Sequence, residues 1–474
     1  MKTASAMRGE ENQFKRHLGW VQLTAIGIGS IIGAGIFVIT GKAAADYAGP
    51  SIVISFLVAA LVCLFTGLCY AELSSLIPIS GGSYTYSYVA MGEFPAWLMG
   101  WSLIVQYLIS ASTVAVGWSG YFVSIARDFG FSLPASLSGA PIAYDAILGW
   151  SWSGTVLNVP AMCLVALVGI MISIGIKAAA HFNHVMVFIK LTTILLFILL
   201  GAMYINSANW MPFIPENTGV FGQFGWSGVF RASGLVFFAY IGFDTVSTLA
   251  QEAKNPQRDL PRGILGSLVI STIAYVLTAL VLTGVVSYTL LGVPDPMSVA
   301  LHAMGPKMFW FSLVVKVAIL SGLTSVVLVQ LLGQTRIFYA ISKDGLLPPQ
   351  FSAVHRWTKT PLFSCAITIF FSLITAGLFP INILGEFVSL MTLFIFTIVC
   401  LGVWILRITH PEYKRGFKVP FVPWVPLGGI IACIAQMGFL PLSTWALGLS
   451  WLSLGLIFYF SYGIRHSKLR KNQD

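Results

Sequence analysis

Two ionisable residues and two glycine-rich stretches, all set in long apolar runs, carry the chemistry in this sequence. Lys190 lies in HFNHVMVFIKLTTILLFIL, roughly seven residues, or about 10 Å at 1.5 Å per residue, inside a helix. Asp244 closes the run GLVFFAYIGFD, and Gly27, Gly29, Gly33 and Gly35 fall within residues 27–35. Each such glycine costs a helix about 1 kcal/mol relative to Ala, so a break is expected there and another within 234–244. Close helix packing through small residues is the simpler account, but it does not explain why the glycines recur beside an acid. At a break, one half-helix exposes N–H groups and the other exposes C=O groups, with opposite dipole signs. A zwitterion fits between them. The expected placement puts an α-carboxylate on the amides of Gly33, Ala34 and Gly35, and an α-ammonium on the carbonyls of Ile31, Phe238, Ala239 and Ile241. That arrangement recognises the backbone of an amino acid and leaves side-chain choice to neighbouring helices.

The elements that position these residues follow from composition. Of 474 residues, 57% are hydrophobic and 9% charged, against about 25% charged in a soluble domain. This is an integral membrane chain. About twelve spans of about 20 residues would use about 240 residues, leaving short loops and no large soluble domain. Apolar runs bounded by charge, Pro or Gly predict helices at 20–42, 50–77, 95–126, 157–177, 183–205, 229–251, 261–286, 308–338, 361–379, 383–406, 422–440 and 446–464. The six cysteines lie in apolar runs without CxxC or Cys/His spacing, so neither disulfides nor a metal is expected. His181 and His184 border a loop with no metal partners.

Basic residues are retained on the cytoplasmic side, and twenty of the 26 Lys and Arg fall on the side of the N-terminus. Lys42, Arg127, Arg231 and Lys307 fall opposite, and Lys190 and Lys316 lie within spans. Both termini are therefore expected in the cytoplasm. The net charge of +10 reads as this orientation signal and a fit to anionic lipid headgroups, with no nucleic-acid module to support another reading. The first and sixth helices correspond if helices one to five and six to ten are repeats of opposite topology, and paired interrupted helices point to a secondary transporter's binding site. The expected organisation is an N-terminal segment 1–19, repeats 20–205 and 206–406, two further helices in 407–464 and a tail 465–474.

The segments GIGSIIGAGIFVITG, CYAELSSLIPISGGSYTYSY, FFAYIGFDTVSTLAQEAKNPQRDLP and GQTRIFYAISKDGLLP resemble the signature stretches of the amino acid–polyamine–organocation superfamily. Within it, the chain is most similar to bacterial relatives of the cationic amino acid transporters, from about residue 17 to the end. The resemblance implies five-plus-five inverted helices followed by two more, and alternating access that is often proton-coupled. It implies that the Lys190 ammonium stands where sodium-coupled cousins bind sodium, bridging the Gly29 carbonyl and the Ser325 hydroxyl, with Thr324 adjacent. It also marks Asp244, within reach of the substrate, as an acidic gate, a proton relay or a partner for a basic substrate side chain; the plainer reading is a carboxylate paired with a hydroxyl such as Thr245 or Ser247. Gln106 departs from the resemblance: several relatives that bind arginine or lysine carry a glutamate there, and the neutral amide weighs against a cationic substrate; it is a candidate to orient the substrate, with a bond to a neighbouring helix as the alternative.

Other polar residues read as structural. Lys316 is expected to snorkel outward. Glu72 and the group Glu252, Lys254, Arg258, Asp259 and Arg262 read as ion pairs that anchor loops near an inner gate. Trp20, Trp97, Trp101, Trp210 and Trp451 read as interface anchors, and Phe238 and Tyr240 as candidates for capping the cavity, with a lipid-facing position the alternative for Tyr240. The expected function is proton-coupled import of a small neutral L-amino acid across a bacterial plasma membrane, with a cationic substrate or amino acid exchange as the alternatives. Sodium and cofactors are not expected. No convergent nucleophile, base or metal set points to an enzyme, and no repeated filter element points to a channel.

Overall fold

The computed structural model describes residues 18–78, 82–145, 149–174, 179–356, 358 and 360–468. Lys2, Arg8, Lys15, Arg16, Lys177, Lys359, Arg470 and Lys471 lie outside them, as do the side chains of His181 and His184.

The fold is helical. Its principal helices are α1 (Trp20–Ile31), α2 (Ile52–Leu76), α3 (Glu93–Asp128), α4 (Val159–Ile174), α5 (Ala179–Gly201), α6 (Gly225–Val236), α7 (Pro256–Val285), α8 (Phe309–Lys343), α9 (Leu362–Leu378), α10 (Ile381–Thr409), α11 (Trp424–Gly438) and α12 (Leu442–Phe458). Among the described residues, eight helical stretches are long and apolar enough to cross a membrane, and α1, α4, α9 and α11 are shorter apolar helices. Side chains such as Leu57, Leu61 and Leu64 on α2 and Val269 and Ile273 on α7 point outward, as a hydrocarbon solvent requires. A short hairpin of β1 (Ile142–Asp145) and β2 (Gly149–Trp152) follows α3.

Local sequence sets the helix ends. Pro256 opens α7, where its missing N–H costs nothing, and the Asp259 carboxylate accepts the Asn255 amide at 3.0 Å. α3 and α8 contain 36 and 35 residues, more than a perpendicular crossing of about 20 needs. They run antiparallel against each other through the middle of the molecule.

Long-range polar contacts tie the helices together. The Glu72 carboxylate accepts from Arg407 Nε at 2.8 Å and Nη2 at 2.7 Å, from Arg415 Nε at 3.0 Å and from the Val419 amide at 2.7 Å, joining α2 to α10 and the loop beyond it. By contrast, among the described residues no ion pair joins Glu252, Lys254, Arg258, Asp259 or Arg262. Trp97 is fully buried and donates to the Gly455 carbonyl, while Trp101 and Trp451 donate to each other's carbonyls. These three tryptophans therefore pack α3 against α12 and are not interface anchors. Lys316 does not snorkel. It is fully buried and meets Asp128 at 2.6 Å, because α3 delivers a carboxylate to its level.

Candidate functional site

The first glycine cluster interrupts its helix. α1 ends at Ile31, Ile32 is extended (φ −73°, ψ 108°), and the chain resumes in a π-helical turn at Gly35–Ile39. In the second cluster, α6 tightens into a 3-10 turn at Phe237–Tyr240. Ile241 is extended (φ −64°, ψ 131°), Gly242 takes φ 124°, and a short helix resumes at Thr245–Thr248. Only glycine adopts that φ without strain.

The two breaks touch through bare backbone. A Cβ on Gly35 would lie 2.3 Å from the Ala239 Cα, and one on Gly242 would lie 2.6 Å from the Ser30 carbonyl oxygen. Beside this contact is a small cavity lined by Ser30, Ile31, Gly33, Ala34 and Gly35 from the first break and Phe238 and Ile241 from the second. α3 adds Ser110 and Val114, and α8 adds Val326 and Gln330. None of these lining side chains is ionisable, so polarity here comes from peptide groups, hydroxyls and one amide.

Tyr275, on α7, stands between the breaks. Its hydroxyl lies 2.9 Å from the Ile31 carbonyl and 2.8 Å from that of Ala239, two of the carbonyls expected to receive an ammonium. The Phe238 carbonyl accepts the Ile241 amide at 3.2 Å. Nothing in sequence singles Tyr275 out beyond a phenol deep in an apolar run, where its O–H must find a partner.

Lys190 is buried, and its ammonium donates to the carbonyls of Gly29 and Ile32, each at 3.1 Å. Two glycines make room for it. A Cβ on Gly29 would lie 2.1 Å from Val187 on the same helix as the lysine, and a Cβ on Gly322 would lie 2.9 Å from the lysine stem. The hydroxyls of Ser325 and Thr324 donate to carbonyls of their own helix, Gly322 and Leu320, and the ammonium contacts Ile32 where Ser325 was expected. Asp244 is buried just past the second break, and its backbone carbonyl accepts from the Ser247 amide and hydroxyl. It does not line the cavity. Gln106 lies one helical turn from Ser110 on α3, also outside the lining. Tyr240 is fully buried and donates to the Phe56 carbonyl at 3.0 Å, so Phe238 reaches the cavity and Tyr240 does not. Among the described residues, no group of three or more His, Cys, Asp or Glu side chains could hold a metal ion.

Residues 18–459 match the model of the amino acid permease family. A methylthioribose transporter of Bacillus subtilis (strain 168) is 42% identical over 471 residues, covering 99% of this chain and 98% of the relative. A branched-chain amino acid permease, BcaP, of the same organism is 41% identical over 462 residues, covering 97% and 96%. The vacuolar cationic amino acid transporter 4 of Arabidopsis thaliana is 36% identical over 407 residues, covering 85% of this chain and 65% of the relative. A multi-pass helical chain matched end to end by permeases belongs to the amino acid permease family, which is a family of transporters and not of enzymes.

Proposed function

We propose that the chain imports a small neutral L-amino acid by alternating access, coupled to protons. The observation that carries this reading is the cavity itself: peptide groups of two interrupted helices converge on it, and among the described residues no ionisable side chain lines it. Bare peptide dipoles suit the two charged ends of an amino acid, and an uncharged wall suits a neutral side chain. The branched-chain permease at 41% identity agrees with a neutral substrate, and the neutral amide of Gln106 weighs against a cationic one. A second reading has its own support. The methylthioribose transporter is as similar, at 42%, and Ser30, Ser110 and Gln330 at the cavity offer donors and acceptors to a hydroxylated solute.

Coupling is assigned to Lys190 first and Asp244 second. The lysine ammonium holds the carbonyl end of the first break to α5. Losing its proton would weaken that tie and free the break to move. The proposed architecture has twelve spans, with repeats 20–205 and 206–406 and two helices in 407–464, both termini cytoplasmic in a bacterial plasma membrane. Protons are the proposed coupling ion, without sodium or a cofactor.

The test is uptake of a radiolabelled panel of neutral and cationic amino acids and methylthioribose into proteoliposomes, with sodium absent. An inside-alkaline gradient should drive accumulation of a neutral amino acid into empty vesicles. Uptake that requires preloaded amino acid and ignores the gradient would replace symport with exchange. Accumulation of methylthioribose alone would replace the substrate.

A further inference from the structure

Beneath the cavity, α3 and α8 meet in a regular antiparallel ladder. Val114 and Val326 both line the cavity, and the Gln330 Nε2 donates to the Ser110 hydroxyl at 3.2 Å. A Cβ on Gly333 would lie 2.5 Å from the Tyr107 ring. Each pair moves as far down α3 as it moves along α8, so the register brings Gln106 opposite Gln334. That rung is one helical turn, about 6 Å, beyond the Ser110–Gln330 rung, toward the Glu93 and Lys343 ends of the two helices.

Both amides are buried, Gln106 at 3% exposure and Gln334 at 0%. Among the described residues, neither Nε2 nor Oε1 of Gln334 has a hydrogen-bond partner, and Gln106 Oε1 has none. Burying unpaired amides is costly, and a leucine would fill such a rung without that cost. Intramembrane glutamines often bond across helices as glue, but Gln334 makes no such bond here. Its donor and acceptor are buried without a partner among the described residues, one turn from the cavity wall at Gln330.

We infer that Gln334, with Gln106, forms a second polar station adjoining the substrate cavity, which hydrogen-bonds the uncharged polar end of the transported solute. A carboxamide or hydroxyl on the substrate can satisfy a donor and an acceptor together; an aliphatic end leaves the Gln334 amide and the Gln106 carbonyl oxygen unpaired. The solute class is therefore neutral and polar at its far end. This inference rests on the transport reading above and narrows its substrate.

The experiment compares the parent with Gln334→Leu and Gln334→Met, using L-glutamine and L-threonine as polar probes and L-valine as the apolar one. In the variants, the KM for the polar probes should rise about tenfold, the loss of one to two good hydrogen bonds, while the KM for valine stays level or falls. Valine transport reports a folded protein, and Gln334→Met offers a more flexible packing replacement if the leucine strains the rung. Equal shifts for polar and apolar probes, or none, would overturn the station. A parent that takes up no amino acid would instead sink the amino acid reading. The station is then read by thermal shift with methylthioribose: stabilisation of the parent that is lost in Gln334→Leu supports it, and equal or absent stabilisation overturns it.

Discussion

Tyr275 has one hydroxyl proton and two carbonyl neighbours, Ile31 and Ala239, one from each helix break. It can donate to only one at a time, so it couples the breaks without saturating them. Tyr275→Phe keeps the ring and removes the bridge, leaving two buried carbonyls without that donor. The expected cost is about 1–3 kcal/mol, read as earlier thermal unfolding in detergent; unchanged unfolding would mean the bridge adds nothing. Lys190 permits two complementary substitutions. Lys190→Ala should lose pH-driven accumulation in vesicles yet still bind substrate. Gly322→Ala leaves the amine in place but sets a methyl 2.9 Å from its stem, so displacing the ammonium should produce the same uncoupled behaviour. If either variant concentrates substrate as well as the parent does, the lysine is structural.

Gly35 and Gly33 flank the same break, yet a methyl added at each is expected to act in opposite ways. A methyl on Gly35 meets Ala239 backbone at 2.3 Å, whereas a methyl on Gly33 meets only Val326 at 3.6 Å and points toward the cavity wall. Gly35→Ala should therefore force the two breaks apart, with an overpacking cost of about 1–3 kcal/mol or more. Gly33→Ala should fold normally and lose uptake by narrowing the cavity; equal thermal stability losses in the two would refute this distinction. Sequence revealed where these helices give way because four glycines in residues 27–35 act locally on backbone propensity. Most helix extents were equally legible, since long apolar runs end at charge, Pro or Gly: 50–77 reads against Ile52–Leu76, and 361–379 against Leu362–Leu378. What local signals could not carry was pairing across the chain. Lys316 finds Asp128 188 positions away, and Trp101 finds Trp451 350 positions away, so snorkelling and interface anchoring were reasonable inferences from either residue alone. Tyr275, Gln330 and Gln334 were missed for the same reason, because a polar tip in an apolar run gains meaning only from the helix that faces it.

A second buried cluster holds the interrupted helix α6, before its break, to the C-terminal helices. Arg231 Nη2 on α6 meets Glu386 Oε1 on α10 at 2.8 Å, Thr444 of α12 donates to Glu386 Oε2 at 2.9 Å, and Arg231 Nη1 donates to the Phe439 carbonyl at 3.1 Å. The guanidinium also lies 5.3 Å from the centre of the Tyr47 ring, which follows the first break. One arginine thus gathers segments from both ends of the chain, which distinguishes a tie that fixes geometry from one that merely adds stability. Removing one member of a buried ion pair strands the other, at about 3–5 kcal/mol, whereas replacing both with apolar groups of similar volume is often neutral or better. Glu386→Gln should accordingly destabilise strongly, while Arg231→Met combined with Glu386→Leu should recover most of the thermal stability. If the double variant unfolds like the parent but no longer transports, the cluster sets where α6 stands relative to α10 and α12. If it transports normally, the pair is a dispensable staple; if it unfolds as early as Glu386→Gln, the ionic contact itself supplies the stability.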